Sequence, residues 1–129
     1  MRTIDAVATL IKQRGVATVV YKGSDVVIPA GDGPFISLIE TSGRITQMHN
    51  TSSILEPAIQ VTVRGGKFDA TGILVDRAWE ELGGKNKIVN TLIGDVFFLW
   101  LHPAQPPFQL TNDPQGRVRL SFNLAIARR

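Results

Sequence analysis

The chain of 129 residues contains no cysteine. This absence excludes a disulfide framework, a thiolate metal site and a cysteine nucleophile, and it suits a reducing cytoplasm. Histidine is almost as scarce, because only His49 and His102 occur, in different predicted loops and without the spacing of metal ligands. We therefore predict no metal site and no cofactor.

Excess charge of one sign is also scarce. Fourteen basic residues oppose eleven acidic ones, and the net charge of +3 is too small to indicate nucleic-acid binding by neutralisation of phosphates. The longest apolar run covers residues 96–101, far short of the ~20 residues of a membrane-spanning helix. Asp5 interrupts the N-terminal segment, which therefore does not resemble a signal peptide. We expect no membrane partner.

Two segments show the spacing of an amphipathic helix. The first has apolar residues at i, i+3, i+4 and i+7, with Thr3 as the predicted N-cap and Gly15 as the stop. The second is predicted to begin near Asp69 as its cap and to end at Gly83 and Gly84. The apolar positions are Ile4, Val7, Ala8 and Ile11 in the first helix, and Val75, Ala78, Trp79 and Leu82 in the second.

Other segments alternate with the period of a strand. In residues 59–64, Ile59, Val61 and Val63 are predicted to be buried, and Gln60, Thr62 and Arg64 to lie on the opposite face. Residues 35–40 predict a central strand, residues 90–101 a single long strand, and residues 118–126 a closing strand that pairs with it. Residues 17–34 predict a small hairpin or an irregular loop. Residues 41–53 predict a loop, and residues 102–116, with four prolines, a semi-rigid excursion in place of a tight hairpin turn.

This order of elements predicts one α+β domain over residues 1–129. Its expected architecture is a mainly antiparallel mixed β-sheet with two α-helices packed on one face. The glycines at 31–33 and 65–66 lack the spacing of a phosphate-binding loop and predict turns. No spacing of acidic residues forces a carboxylate pair, so the sequence favours a protein that is not an enzyme.

The landmarks resemble the tail-terminator, or tail-completion, proteins of long-tailed bacteriophages. An N-terminal amphipathic helix and "VYKG" are followed by "FISLIETSG", "AIQVTVRGGKFDAT", "DVFFLWLHPAQPPFQL" and "NDPQGRVRLSFNLAIAR". The segment "QVTVRGGKFDAT" is similar to the family's strand-to-helix entry, and "DPQGRVRLSFNLAI" to its closing strand. The resemblance covers nearly the whole chain but includes no catalytic motif. Gly65, Gly66, Lys67 and Phe68 depart from the less glycine-rich, tyrosine-containing entry of the family.

The resemblance implies a minor virion protein that forms a ring, usually of six copies, on the completed tail tube. Such a ring stops polymerisation of the tube and offers a surface to the head's connector proteins, while double-stranded DNA only passes through its channel. The protein would be made in the host cytoplasm and reside at the head-proximal end of the tail. A head-to-tail ring needs two different patches on each subunit. The candidate residues for contacts with other subunits or the tube are Gln60, Thr62, Arg64, Arg44, His49, Phe108, Arg117 and Arg119.

Three other functions remain open from the sequence. A head-side completion or connector protein would also form a ring, and composition does not separate it from a terminator. A small ligand-binding or hydrolytic domain would need Asp95, His102 and Arg64 to converge in one pocket. A nucleic-acid binder would show DNA affinity that falls steeply with salt.

Overall fold

The chain folds into one mixed β-sheet with its helices on one side. The computed structural model describes residues 1–23, 30–45 and 54–129. In these ranges the helices are α1 (Thr3–Gln13) and α2 (Phe68–Trp79), and α2 continues into a π-helical turn, Glu80–Gly84. The strands there are β1 (Val20–Lys22), β2 (Phe35–Ile45), β3 (Leu55–Gly65), β4 (Ile88–Ile93), β5 (Val96–Pro103), β6 (Phe108–Leu110) and β7 (Val118–Arg128).

The strands lie in the order β1-β2-β3-β7-β5-β4, and β6 pairs with the first residues of β7. Among the described residues β1 is parallel to β2, and all other pairs are antiparallel. The predicted α+β class and the predicted pairing of the closing strand are confirmed. In the described part β4 ends one side of the sheet and leaves its outer backbone edge without a strand partner.

The core lies between the sheet and the two helices. Ile59, Val61 and Val63 are fully buried on β3, and Val61 lies opposite the buried Phe122 of β7. Both helices turn their predicted apolar faces toward this layer, with Val75 of α2 and Ile11 of α1 fully buried. The alternation of β3 therefore predicted the buried and the opposite face correctly.

Both predicted helix caps are wrong. Helix α1 begins at Thr3 with Arg2 as N-cap, and Thr3 is itself buried, where its hydroxyl accepts a bond of 3.0 Å from Arg128 Nη1. Helix α2 has Lys67 as its N-cap, so Asp69 lies inside the first turn. An acidic side chain there still interacts favourably with the positive end of the helix dipole.

Two predicted strand boundaries are also wrong. Residues 41–45 continue β2, and only residues 46–53 of the predicted loop lie outside the described residues. The predicted long strand is two strands, because Gly94 adopts a φ of 60° and the chain reverses between Ile93 and Val96. A glycine with positive φ at the first central position is typical of a type II′ hairpin turn. Of residues 17–34, Val20–Lys22 form β1, and residues 24–29 lie outside the described residues.

The segment 102–116 folds back on the sheet and does not project from it. Strand β6 pairs with β7, and a tight turn at residues 113–117 joins them, contrary to the prediction of an excursion without a tight turn. Asp113, Pro114 and Gly116 occupy the first, second and fourth turn positions that a type I turn favours. Gly116 has a φ of 79°, which suits glycine.

Candidate assembly surface

The helix-free side of the sheet carries a polar face on β2, β3 and β7. Its central row runs from Ser37 through Thr62 to Ser121, and Phe108 of β6 lies next in line. On one side of this row Gln60 lies opposite Asn123. On the other side Arg64 lies opposite Arg119, so the two arginines share one face although they lie on different strands. We call these residues the polar face.

Hydroxyl groups in the central row are bonded within the sheet. Ser121 is buried and donates to the carbonyl oxygen of Val61 at 2.8 Å. Since its proton is used there, the 3.2 Å contact with Thr62 is a bond that the Thr62 hydroxyl donates. A satisfied hydroxyl in a sheet stabilises the pairing of its strands more than it offers a bond to a partner.

Two arginines at one end of the polar face are held by carboxylates. Asp113 Oδ2 lies 4.0 Å from Arg64 Nε and 3.4 Å from Arg117 Nη1, and Arg117 Nε lies 3.5 Å from Asp32 Oδ1. The Arg64 guanidinium also lies 5.5 Å from the centre of the Phe35 ring. Two positive and two negative side chains balance here, so this arginine–aspartate cluster is not a free basic patch.

The carboxylate of Asp113 organises that cluster. Burial opposes its ionisation, but the backbone N–H groups of Arg117 and Gln115 and the guanidiniums of Arg117 and Arg64 outweigh it and lower the pKa of Asp113. The two N–H groups donate to Asp113 Oδ1 at 2.7 and 3.0 Å. The cluster therefore fixes the β6–β7 turn against β3 and against the loop before β2.

The remaining predicted contact residues are not part of the arginine–aspartate cluster. Arg119 Nε donates instead to the carbonyl oxygen of Thr111 at 2.7 Å. Arg44 lies in β2 opposite Glu56, but its side chain is outside the described part, and so is the whole of His49. In the described residues the carboxamides of Gln60 and Asn123 have no hydrogen-bond partner, so this pair offers bonds to a neighbour.

The residues of the hydrolytic alternative do not converge. Asp95 lies in the turn before β5, 3.0 Å from the amino group of Met1. His102 lies at the other end of β5 with its ring stacked on Trp100, the two centres 5.0 Å apart. Arg64 belongs to the cluster around Asp113. Residues 95 and 102 are about 23 Å apart along an extended strand, too far for one catalytic pocket.

Metal and membrane sites receive no support within the described ranges. They contain no group of three or more acidic or histidine side chains that could hold a metal ion. Among the helices that they include, none is long and apolar enough to cross a membrane.

An apolar corner, which the sequence pattern did not predict, lies on the helix-free side of β4 and β5. Val89 and Leu92 of β4 are 55% and 64% exposed, and they lie opposite Trp100 and Phe97 of β5. Simple alternation would place Val89 and Leu92 on opposite faces. A local irregularity at Asn90, with a φ of 47°, brings them to the same face. We call Val89, Leu92, Phe97 and Trp100 the apolar corner.

Comparison with known proteins shows a likeness of fold. No protein-family model matches the chain, and no characterised protein sequence matches it significantly. One chain in a solved structure, the virion of a native gene transfer agent particle, is similar with a TM-score of 0.53. The alignment covers 100% of this chain and 89% of that chain at 14% sequence identity. The two chains therefore share a fold, over all of this chain and most of the other.

Proposed function

We propose that the chain is a structural protein of a phage-like virion. In this proposal several copies form a ring on the completed tail tube, end its polymerisation and provide the surface for head attachment. The observation that carries the proposal is the likeness of fold over the full chain to a chain of a virion particle. The resemblance of the sequence landmarks to tail-terminator proteins supports the finer assignment to the end of the tail.

The surface of the protein suits assembly. It presents a polar face, an edge strand and an apolar corner, and the carboxamides of the polar face have no hydrogen-bond partner among the described residues. Exposed edges and apolar patches favour contacts with other protein chains, and soluble monomers usually cover them. The three candidate catalytic side chains are spread over three places, so a hydrolytic site draws no support from them.

We propose that the polar face contacts the tail tube or a neighbouring subunit. Gln60 and Asn123 lie opposite each other and would exchange hydrogen bonds with backbone or side chains of that partner. Arg64 and Arg117 would act indirectly, because their ion pairs hold the β6–β7 turn beside the contact.

Electron microscopy of tail tubes stripped of their terminal ring tests this function. The purified protein is expected to cap one end of each tube as a closed ring and to halt further growth. Gln60→Arg is expected to reduce the fraction of capped tubes, whereas Gln13→Arg, the same change at the exposed end of α1, leaves capping unchanged.

Binding to head portal complexes without capping of tubes would instead assign the protein to the head-side connectors. A folded protein that neither forms rings nor caps tubes would contradict the proposed function. A salt-dependent affinity for DNA, which the net charge of +3 does not favour, would indicate the nucleic-acid alternative.

A further inference from the structure

An acidic stripe runs along the outer side of α2, away from the sheet. Asp69, Ile73, Asp76 and Glu80 follow one another at i, i+4, i+7 and i+11, which places them within an arc of about 60° on the helix surface. Ile73 is 71% exposed in the middle of three carboxylates. A single exposed apolar side chain is common on protein surfaces, so the stripe becomes informative only together with a complementary patch elsewhere on the molecule.

The charges of this acidic stripe form no ion pair with other described residues of the chain. In the described part, Asp69, Asp76 and Glu80 form no ion pair, whereas the adjacent Glu81 pairs with Arg14 at 3.6 Å. Arg77 points toward the end of α1, where its Nη2 would lie 3.7 Å from a Cβ on Gly15. The stripe therefore keeps three uncompensated negative charges.

The surroundings of the apolar corner carry positive charge, opposite in sign to the charge of the acidic stripe. Lys87 lines a hollow together with Val89, Trp100 and His102, and Lys85 is exposed just before it in the chain. In the described residues neither lysine forms an ion pair. The corner thus combines exposed apolar side chains with uncompensated positive charge.

We propose that the acidic stripe of one copy binds the apolar corner of the next copy. Ile73 would enter the hollow beside Val89 and Trp100, and Asp76 would pair with Lys87 of the neighbour. This inference rests on the proposed function, because it names the two patches through which the ring closes.

The two patches do not contact each other within one molecule, because Ile73 and Val89 are 71% and 55% exposed. The stripe lies on the exposed side of α2, and the hollow beside the corner lies between β4, β5 and the π-helical turn, where Gly83 also lines it. Two different patches on one subunit generate a head-to-tail assembly, which closes into a ring when the rotation allows it. Opposite charges at the two patches also fix the direction of the contact.

Disulfide cross-linking tests the contact directly, since the natural chain has no cysteine. Ile73→Cys protein mixed with Val89→Cys protein is expected to form a covalent heterodimer on mild oxidation, because a disulfide requires Cβ atoms within about 4.5 Å. A chain with both substitutions should give a ladder of oligomers. Val19→Cys, at a similarly exposed valine, replaces Val89→Cys as control and should not cross-link with Ile73→Cys.

Charge reversal gives an independent test. Asp76→Lys and Lys87→Glu should each weaken self-association by about tenfold, because each variant brings like charges together. An equal mixture should associate like the natural protein, since the reversed stripe of one variant fits the reversed corner of the other. Lys12→Glu, an equal change of charge at an exposed residue of α1, should have no effect.

The outcomes separate this inference from the proposed function. Rings on tail tubes without the heterodimer would overturn the inference and leave the function standing. Covalent heterodimers, together with restored self-association in the mixture of the two charge-reversed variants, would support the contact. If the same protein did not cap tubes, the assignment to the tail would be contradicted. Homodimers of Ile73→Cys protein as abundant as the heterodimer would show a symmetric contact and overturn the inference.

Discussion

Gly83 should tolerate no side chain. It lies inside the π-helical turn after α2 with a φ of 104° and a ψ of −4°, a conformation that costs a non-glycine residue about 1–2 kcal/mol. A Cβ there would also overlap the carbonyl oxygen of Leu101 and lie 3.0 Å from His102 Cα. Because both neighbours are backbone of β5, the helix end must move away, and such overpacking costs a further ~1–3 kcal/mol.

We therefore expect Gly83→Ala to lower the free energy of unfolding by roughly 2–4 kcal/mol, after the smaller entropy of the unfolded alanine chain is included. Gly116→Ala is the matched control, since Gly116 also has a positive φ of 79° but no heavy atom within 4 Å of the added Cβ. This control should lose only about 1 kcal/mol. Urea unfolding followed by circular dichroism measures both values. Equal losses for the two variants would refute the steric argument.

Three further results are expected from the structure. Phe122→Ala should cost about 3–5 kcal/mol in urea unfolding because the side chain is fully buried, and Phe68→Ala should change stability by less than about 0.5 kcal/mol because Phe68 is 57% exposed. Trp79→Phe should cost about 1 kcal/mol in the same assay, since it removes the 3.0 Å bond that Nε1 donates to the Gln105 carbonyl oxygen. The lowered pKa of Asp113 stabilises the fold above the ordinary aspartate pKa of about 4, and this contribution is lost as the pH falls through the folded value. The melting temperature of Asp113→Asn protein should therefore lie below that of the natural protein at pH 7, and the difference should shrink steadily as the pH falls below about 4. A difference that stays constant over this range would contradict the reasoning.

The class of the fold was predictable because its signal is local. The alternation of Ile59, Val61 and Val63 and the apolar spacing of α1 depend only on which face meets the core. The caps were not predictable in the same way. Thr3 has a side chain suited to capping, but it is bonded to Arg128, which lies at the other end of the sequence.

The turn within the predicted long strand was predictable. A glycine-aspartate pair between two apolar runs is a signal for a two-residue hairpin turn, which the prediction of a single strand left out. Here β5 pairs with both β4 and β7, so the turn at Gly94 allows a further strand to join the sheet.

The candidate surface was predictable in part. The alternation placed Gln60, Thr62 and Arg64 on one face, but it could not show that Arg64 is held by Asp113, which is distant in sequence. The acidic stripe also has helical spacing. The apolar periodicity of α2, however, indicates only its buried side, on which Val75 and Ala78 lie, and does not mark the stripe on the opposite side.

The charges around Asp113 and the charges along α2 differ in whether they are paired within one molecule, and this difference bears on the proposed assembly. Around Asp113, arginines and carboxylates pair within one molecule, so those charges stabilise the monomer and leave little for a partner. Along α2, three carboxylates flank an exposed isoleucine without a counter-charge among the described residues, and like charges one turn apart destabilise a helix slightly. The monomer gains only the interaction of Asp69 with the helix dipole from this arrangement. A neighbouring copy that brings Lys87 and the apolar corner would remove the repulsion and bury the isoleucine in the same step.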